Sequence, residues 1–454
     1  MRPNTYIRAR SFISADSLLL VFAATASVAV GAVVTKAPID AVAALIVATA
    51  VATALTRPAL LFAAGTVLLA VEPVKVFRAG SVFATHAGAY KLVLYVCFIP
   101  LLFKRGVVPR KCAPLVAYAV VTILSEAFGT RLPGLTTSQT AASLASLSLG
   151  WLVFAINWDW RRDHPLLKIL VWVPIISVLI GLALQAMGVL SLFSQSPPRL
   201  GGATITAWLG AFGVCAVVAC LTLYRREQWK WAKWIALTDI VILGATLTRG
   251  AVLALSIVAL PSLVRFGRRQ LSATGVVGVA KLGTAVAAAI VGAALLVPGL
   301  QERDEKAVAY NAARGVVTHE IASGRLQSWA FTYEQAKVNL AFGRGIGAGP
   351  IVGKIPGSPP GFTAQHNEYI RMLLEVGIIG SVILLMTMIT TLISAIRRSP
   401  PQVRADLAAA GVAFALYCIT ENTLSAPPLA VAFLLVFGIA GSRASLSPLA
   451  PRNP

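Results

Sequence analysis

His366 and three arginines are the side chains of this sequence whose type and setting could do chemistry. Histidine changes charge near neutral pH and so can take a proton from a hydroxyl. His366 stands in Gln365-His366-Asn367-Glu368-Tyr369, directly before a long apolar run. That position predicts the first turn of a helix, where the positive end of the macrodipole favours neutral imidazole, the form a general base needs. A lone histidine is as readily structural, and the spacing alone leaves both readings open. His86, His164 and His319 lack a comparable frame. Arg249 stands in Thr246-Leu247-Thr248-Arg249-Gly250, Arg199 in Ser196-Pro197-Pro198-Arg199-Leu200-Gly201-Gly202, and Arg325 in Ser323-Gly324-Arg325-Leu326. A guanidinium grips phosphate through two parallel hydrogen bonds. Taken singly, each arginine reads equally well as one snorkelling to a membrane interface or, for Arg325, as a solvated charge on its helix.

The elements that position these groups follow from composition. The chain is 57% hydrophobic and 12% charged, about half the charged share of a soluble domain, and its mean hydropathy is +0.79. Apolar runs recur from Leu18 to Val436. They are too long and too continuously apolar for barrel strands, so the class is an all-α polytopic integral membrane protein. Spans are expected near 17–35, 39–55, 58–71, 88–103, 113–127, 139–156, 166–189, 203–223, 232–247, 250–264, 275–297, 369–396, 405–421 and 427–441. If either short pair, at 39–71 or at 232–264, is a hairpin that does not cross fully, the number of transmembrane helices is 12 rather than 14. The N-terminus, basic and then apolar, reads as a retained first helix rather than a cleaved signal. The net charge of +22 reflects basic loops at a membrane; a nucleic-acid partner is not expected, since no soluble basic and aromatic surface accompanies it. None of the five cysteines has metal-ligand spacing or an obvious disulfide partner.

With the N-terminus inside, the loops alternate so that Lys104-Arg105 with Arg110-Lys111, Arg161-Arg162, Arg225-Arg226, Arg268-Arg269 and Arg397-Arg398 all fall inside. Trp158, Trp160, Trp229, Trp231 and Trp234 flank these loops as interfacial anchors. The long polar segment 298–368 then lies outside, with Arg199 and Arg249 at the same face. The expected organisation is a transmembrane bundle over 1–297, a large outer loop over 298–372, and C-terminal transmembrane helices with a short tail over 373–454.

Within the outer segment, Ser323 can cap a helix whose residues Leu326, Trp329, Ala330, Tyr333 and Lys337 recur at three-to-four spacing, suited to lying along the outer leaflet. The run Gly343-Arg344-Gly345-Ile346-Gly347-Ala348-Gly349 suggests a dinucleotide fingerprint, but no buried strand precedes it. It reads as a loop that lets backbone approach a ligand closely, or as a plain linker. Glu302-Arg303-Asp304-Glu305 is a solvated charged loop, and the outer segments hold no Asp-x-Asp pair or His/Asp cluster. No metal and no cofactor are expected. Nor is a two-carboxylate hydrolase supported.

Together these residues resemble the bacterial O-antigen ligase and Wzy-type polymerase superfamily. The resemblance rests on Thr248-Arg249-Gly250 opening a span, Gly324-Arg325 with Trp329 four residues on, and Gly343-Arg344-Gly345-Ile346-Gly347. It continues through His366-Asn367-Glu368-Tyr369 into Leu374-Glu375-Val376-Gly377-Ile378-Ile379-Gly380, with Arg199-Leu200-Gly201-Gly202 upstream. It covers roughly 195–440. It implies a glycosyltransferase C-like enzyme of the inner membrane, acting at the periplasmic face on a glycan carried by undecaprenyl diphosphate. The acceptor would be lipid A–core oligosaccharide for a ligase, or a second lipid-linked glycan for a polymerase. By the same resemblance Arg249 and Arg325 contact the diphosphate, His366 activates the acceptor hydroxyl, and Arg199 is a further member. Asn367, Glu368, Trp329 and Arg344 are carried as substrate-binding candidates. One dominant outer loop favours a ligase, although loop 72–91 is a possible second. A flippase or secondary transporter is the reading from another class; it would place ionisable residues at mid-membrane, with Glu126 and Asp239 nearest to that.

Overall fold

A computed structural model describes residues 53, 56–72, 87–194, 199–272, 325–359, 362 and 364–443. The spans expected at 17–35 and 275–297, nearly all of that at 39–55, and His86, His319 and Ser323 lie outside the described residues. What is described is an all-α polytopic membrane protein. Four stretches are long and apolar enough to cross a bilayer: 160–186, 206–227, 368–398 and 401–420. Several other helices are apolar but short. In chain order the helices are α1 (Pro58–Leu68), α2 (Ala87–Arg105), α3 (Ala113–Phe128), α4 (Thr137–Ala155), α5 (Trp160–Leu170), α6 (Val173–Ala186) and α7 (Thr206–Glu227). There follow α8 (Ala232–Ala245), α9 (Arg249–Ser272), α10 (Arg325–Lys337), the single turn α11 (Gly349–Val352), α12 (Glu368–Arg398), α13 (Pro401–Thr420) and α14 (Pro427–Ala440). A two-residue antiparallel ribbon, β1 (Phe193–Ser194) with β2 (Arg199–Leu200), is the sheet among these residues.

The bundle is built around α7 and α14. Every residue of α14 is buried, as befits a helix apolar all round. Helix α7 packs on α8, α9, α13 and α14, and glycines bring its backbone close to its neighbours. A Cβ at Gly210 would lie 2.9 Å from that of Ala251, and one at Gly213 would lie 3.2 Å from that of Leu243. Close backbone approach of this kind is how helices gain packing energy in lipid, where the hydrophobic effect no longer drives association. The 14 residues of α8 rise about 21 Å, short of the hydrocarbon thickness of about 30 Å. The shortness expected for the 232–247 span is therefore real.

Two sequence expectations change here. The segment around Trp160 and Arg161-Arg162, expected as a loop, is helix α5, because Asp159 caps it through Arg161 N and the buried Asp163 neutralises Arg105 and Arg162. The glycine run is neither a ligand cradle nor a plain linker. It is wedged into a break in α12. Gly377 in that helix has φ +67° and ψ −173°, so the carbonyls of Leu374 and Glu375 turn out and accept from Arg344 N at 2.8 Å and Gly345 N at 3.0 Å. In return Ile378 N donates to Leu340 O at 2.8 Å and Ile379 N to Ala341 O at 3.2 Å. A break in a membrane helix persists only if the freed backbone groups find partners, and the loop supplies them. A Cβ at Gly377 would sit 2.3 Å from Ala341 O. Gly377→Ala is expected to abolish recovery of folded protein by size-exclusion chromatography in detergent; a monodisperse variant at wild-type yield would refute this account of the break.

Candidate active site

Arg199, Arg249, Arg325 and His366, spread over nearly 170 residues of sequence, converge on the end of α13. At that end Tyr417 and Thr420 are followed by Glu421, the helix C-cap, which is 7% exposed. Arg325 opens α10. Its Nη1 donates to Thr420 O at 2.5 Å and its Nη2 lies 3.1 Å from Glu421 Oε1. The second carboxylate oxygen of Glu421 is 3.2 Å from His366 Nδ1. One buried carboxylate thus holds both the guanidinium and the imidazole.

Arg249 reaches the same place because of the glycine that follows it. A Cβ at Gly250 would lie 2.3 Å from Thr420 Oγ1, so only glycine lets α9 close on α13 with Arg249 at the junction. There Arg249 and Arg325 are near enough to repel each other. Arg199 arrives from the ribbon. Its Nε donates to Thr246 O at 3.0 Å and its Nη2 to Thr248 Oγ1 at 3.1 Å, tying the ribbon to the turn that precedes Arg249. That turn holds Leu247 at φ +48°, and His366 itself has φ +48°. Non-glycine residues held in this region carry strain that the surroundings must sustain, and such residues gather at functional sites.

His366 is not in the first turn of α12, as its position in the sequence suggested. Asn367 is the N-cap, with Oδ1 accepting from Tyr369 N at 3.0 Å and Ile370 N at 3.1 Å. His366 lies one residue outside that cap. The ring is held instead by Glu421. A carboxylate on Nδ1 holds the proton on that nitrogen and leaves Nε2 as the acceptor. The His366 side chain is 37% exposed, so the ring is open to approach from outside.

Sequence reasoning missed Glu421, the residue on which the others meet, because it reads as the last residue of an apolar span. Its signal was the sequence Thr420-Glu421-Asn422, an acid ending a hydrophobic run. Burial raises the carboxyl pKa, but the hydrogen bond with His366 and the charge of Arg325 outweigh it and hold the group below its ordinary value. A depressed folded-state value means that this stabilisation is complete above the ordinary carboxylate range of about 4.3 and is lost as pH falls through the lowered value. Glu421→Gln is expected to flatten the acid side of the stability–pH curve and to slow turnover about 10²-fold, the scale of removing a group that orients a catalytic histidine. An unchanged rate would show that His366 needs no orienting carboxylate.

The remaining sequence candidates divide. Trp329 is a positioning residue, its Nε1 donating to Gln365 O at 2.6 Å, the peptide next to His366. Its helix, α10, leaves Leu326, Ala330 and Tyr333 exposed together with the ion pair Glu334–Lys337, while Thr332 and Ala336 pack inward. Glu368 and Arg344 do not face the cluster. Glu368 is wholly buried, with Oε1 accepting from Ser425 N at 2.8 Å and Oε2 held 2.5 Å from Arg371 Nη2. Arg344, 6% exposed, donates to Gln335 Oε1 at 2.8 Å and to Thr130 O at 3.4 Å and pins the glycine loop between α3 and α10. Glu368 is thus engaged by an ion pair and Arg344 by neutral hydrogen-bond acceptors.

Three guanidiniums and an imidazole around one carboxylate leave an excess of positive charge beside a nitrogen able to take a proton. Such an arrangement can hold an anion next to a group that exchanges a proton. No curated protein matches the chain. A family model described as O-antigen ligase, Wzy_C, matches residues 234–385, about a third of the sequence, and within it lie Arg249, Arg325 and His366. Arg199 and Glu421 fall outside the matched stretch. Over residues 234–385 the chain is thus similar to the O-antigen ligase family, which supports the resemblance read from the sequence motifs.

Proposed function

We propose that this protein is a periplasmic-face glycosyltransferase of the inner membrane that moves a glycan from undecaprenyl diphosphate to an acceptor hydroxyl, as an O-antigen ligase using lipid A–core. The observation that carries the reading is the junction at Glu421, where His366 and Arg325 share one carboxylate beside Arg199 and Arg249. In this reading His366 Nε2 takes the proton of the acceptor hydroxyl as its oxygen attacks the anomeric carbon. The bond from that carbon to the diphosphate breaks on the opposite face, and the configuration inverts. The leaving diphosphate oxygen takes the electron pair, and the guanidiniums stabilise the charge that develops there. Arg249 and Arg325 stand at the start of their helices, with backbone N–H groups that add to the positive field.

The test is surface-polysaccharide analysis of a knockout strain complemented with the wild type or with His366→Ala at matched membrane levels. Ligation predicts glycan on lipid A–core with the wild type and accumulated lipid-linked polymer with the variant. Accumulated single repeat units would make the protein a polymerase instead. Normal surface glycan with the variant would remove His366 from the mechanism.

A further inference from the structure

A second charged cavity lies at the other end of the bundle. Helix α12 runs from beside His366 to Arg398, and α14 from beside Ser425 to Gly441. A cavity of about 410 Å³ opens where both end, and Arg110, Lys111, Arg398 and Arg443 line it. Over the 31 residues of α12 the two sites stand on the order of 40 Å apart along the helix axis, in opposite leaflets.

Among the described residues the four cations are held together without a counter-charge. Arg443 Nε donates to Arg398 O at 3.0 Å, and Arg398 donates to Ser394 Oγ, which fixes both side chains at the rim. Lys111 Nζ sits 4.9 Å over the Phe154 ring. Burial, together with the nearby Arg398 charge, pushes its ammonium down to about 8. Among the described residues no carboxylate lines the cavity and none of these four groups is in an ion pair. The contrast at the same end is plain: Arg105 meets Asp163, while Arg225 and Arg265 meet Asp406. The remaining walls mix apolar Trp158 and Phe437 with polar Asn157, Thr391, Ser394 and Ser442, which offer hydrogen bonds beside the cations.

We propose that this basic cavity binds a phosphate-bearing anion, the headgroup of an acidic phospholipid in the leaflet opposite the glycosyl-transfer site. Basic pockets between transmembrane helices recognise such headgroups because the cations find in the phosphate the partner the protein withholds. The proposal is independent of the transfer chemistry and stands or falls without it.

The test is thermal unfolding of the purified full-length protein in a neutral detergent, titrated separately with phosphatidylglycerol, phosphatidylcholine and inorganic phosphate. Phosphatidylglycerol is expected to raise the Tm saturably and phosphatidylcholine to leave it unchanged. The half-saturating concentration should rise about fivefold for each cation removed, and so about twenty-five-fold for Lys111→Gln with Arg398→Gln. Because the double variant can fail to fold, the exposed Arg110→Gln and Arg443→Gln are measured singly, each with its expected fivefold loss. Lys104→Gln, exposed at the same end but outside the cavity, should behave as wild type. An equal Tm rise with inorganic phosphate would reassign the site to a soluble anion and overturn the lipid assignment. An undiminished phosphatidylglycerol response in the Arg110 and Arg443 variants would overturn the site itself.

Discussion

Replacing His366 with asparagine is expected to lower the rate of glycan transfer by about 10²- to 10⁴-fold, the usual contribution of a positioned general base, while leaving the protein folded. Asparagine is the informative substitution because the backbone at His366 has φ +48°. Asparagine adopts that left-handed region more readily than alanine does, so lost activity is not confounded with lost structure. An asparagine amide can still reach Glu421 but cannot accept a proton. The loss should therefore fall on kcat rather than on KM, because the group acts in the transition state and not in binding the lipid-linked donor. The measurement is transfer from a lipid-diphosphate glycan by purified protein in detergent, with unfolding temperature as a control. A variant within a fewfold of wild-type kcat would leave only the arginines to carry the reaction.

Replacing Arg371 with leucine is expected to destabilise the protein by about 3–5 kcal/mol, the scale of stripping one partner from a buried ion pair. Arg371 is 3% exposed and lies between two buried carboxylates of its own helix, Glu368 and Glu375. Removing it strands two negative charges in the bundle. Those carboxylates have further duties. Glu368 Oε1 accepts from Ser425 N at 2.8 Å, fixing the loop after Glu421, and Glu375 Oε1 accepts from Gly349 N at 3.1 Å, fixing the glycine loop. Converting all three residues to apolar ones is accordingly expected to recover only part of the loss, because the Ser425 and Gly349 donors would be left unsatisfied. Thermal unfolding in detergent checks both statements. An Arg371→Leu Tm equal to that of the wild type would show that the triad is not what holds the broken helix in place.

The two sets of charges explain why residues of similar appearance in the sequence play different parts. Glu368 and Arg344 sit within the same motifs as His366 and the glycine run, yet both are consumed by internal partners. Glu421 sits in no motif and organises the site. Charge type and spacing state which groups can do chemistry, but whether a charge is spent on packing depends on what folds against it.

The amino-acid sequence by itself determined the class of the protein and most of the cluster. Apolar runs long enough to cross a bilayer admit no soluble fold, since helices are the economical way to satisfy backbone hydrogen bonds in lipid. Arg199, Arg249, Arg325 and His366 were legible because charged residues that break an apolar or inward-basic pattern need a physical reason to be there. Only the tertiary structure decided that they meet. Glu421 is about 55 residues beyond His366 and nearly 100 beyond Arg325, and no local period links such positions. Their meeting depends on Gly250 letting α9 close on α13 and on the break at Gly377 that seats the glycine loop. These are approaches to a backbone too close for any side chain at that position, and a sequence shows them only as glycines.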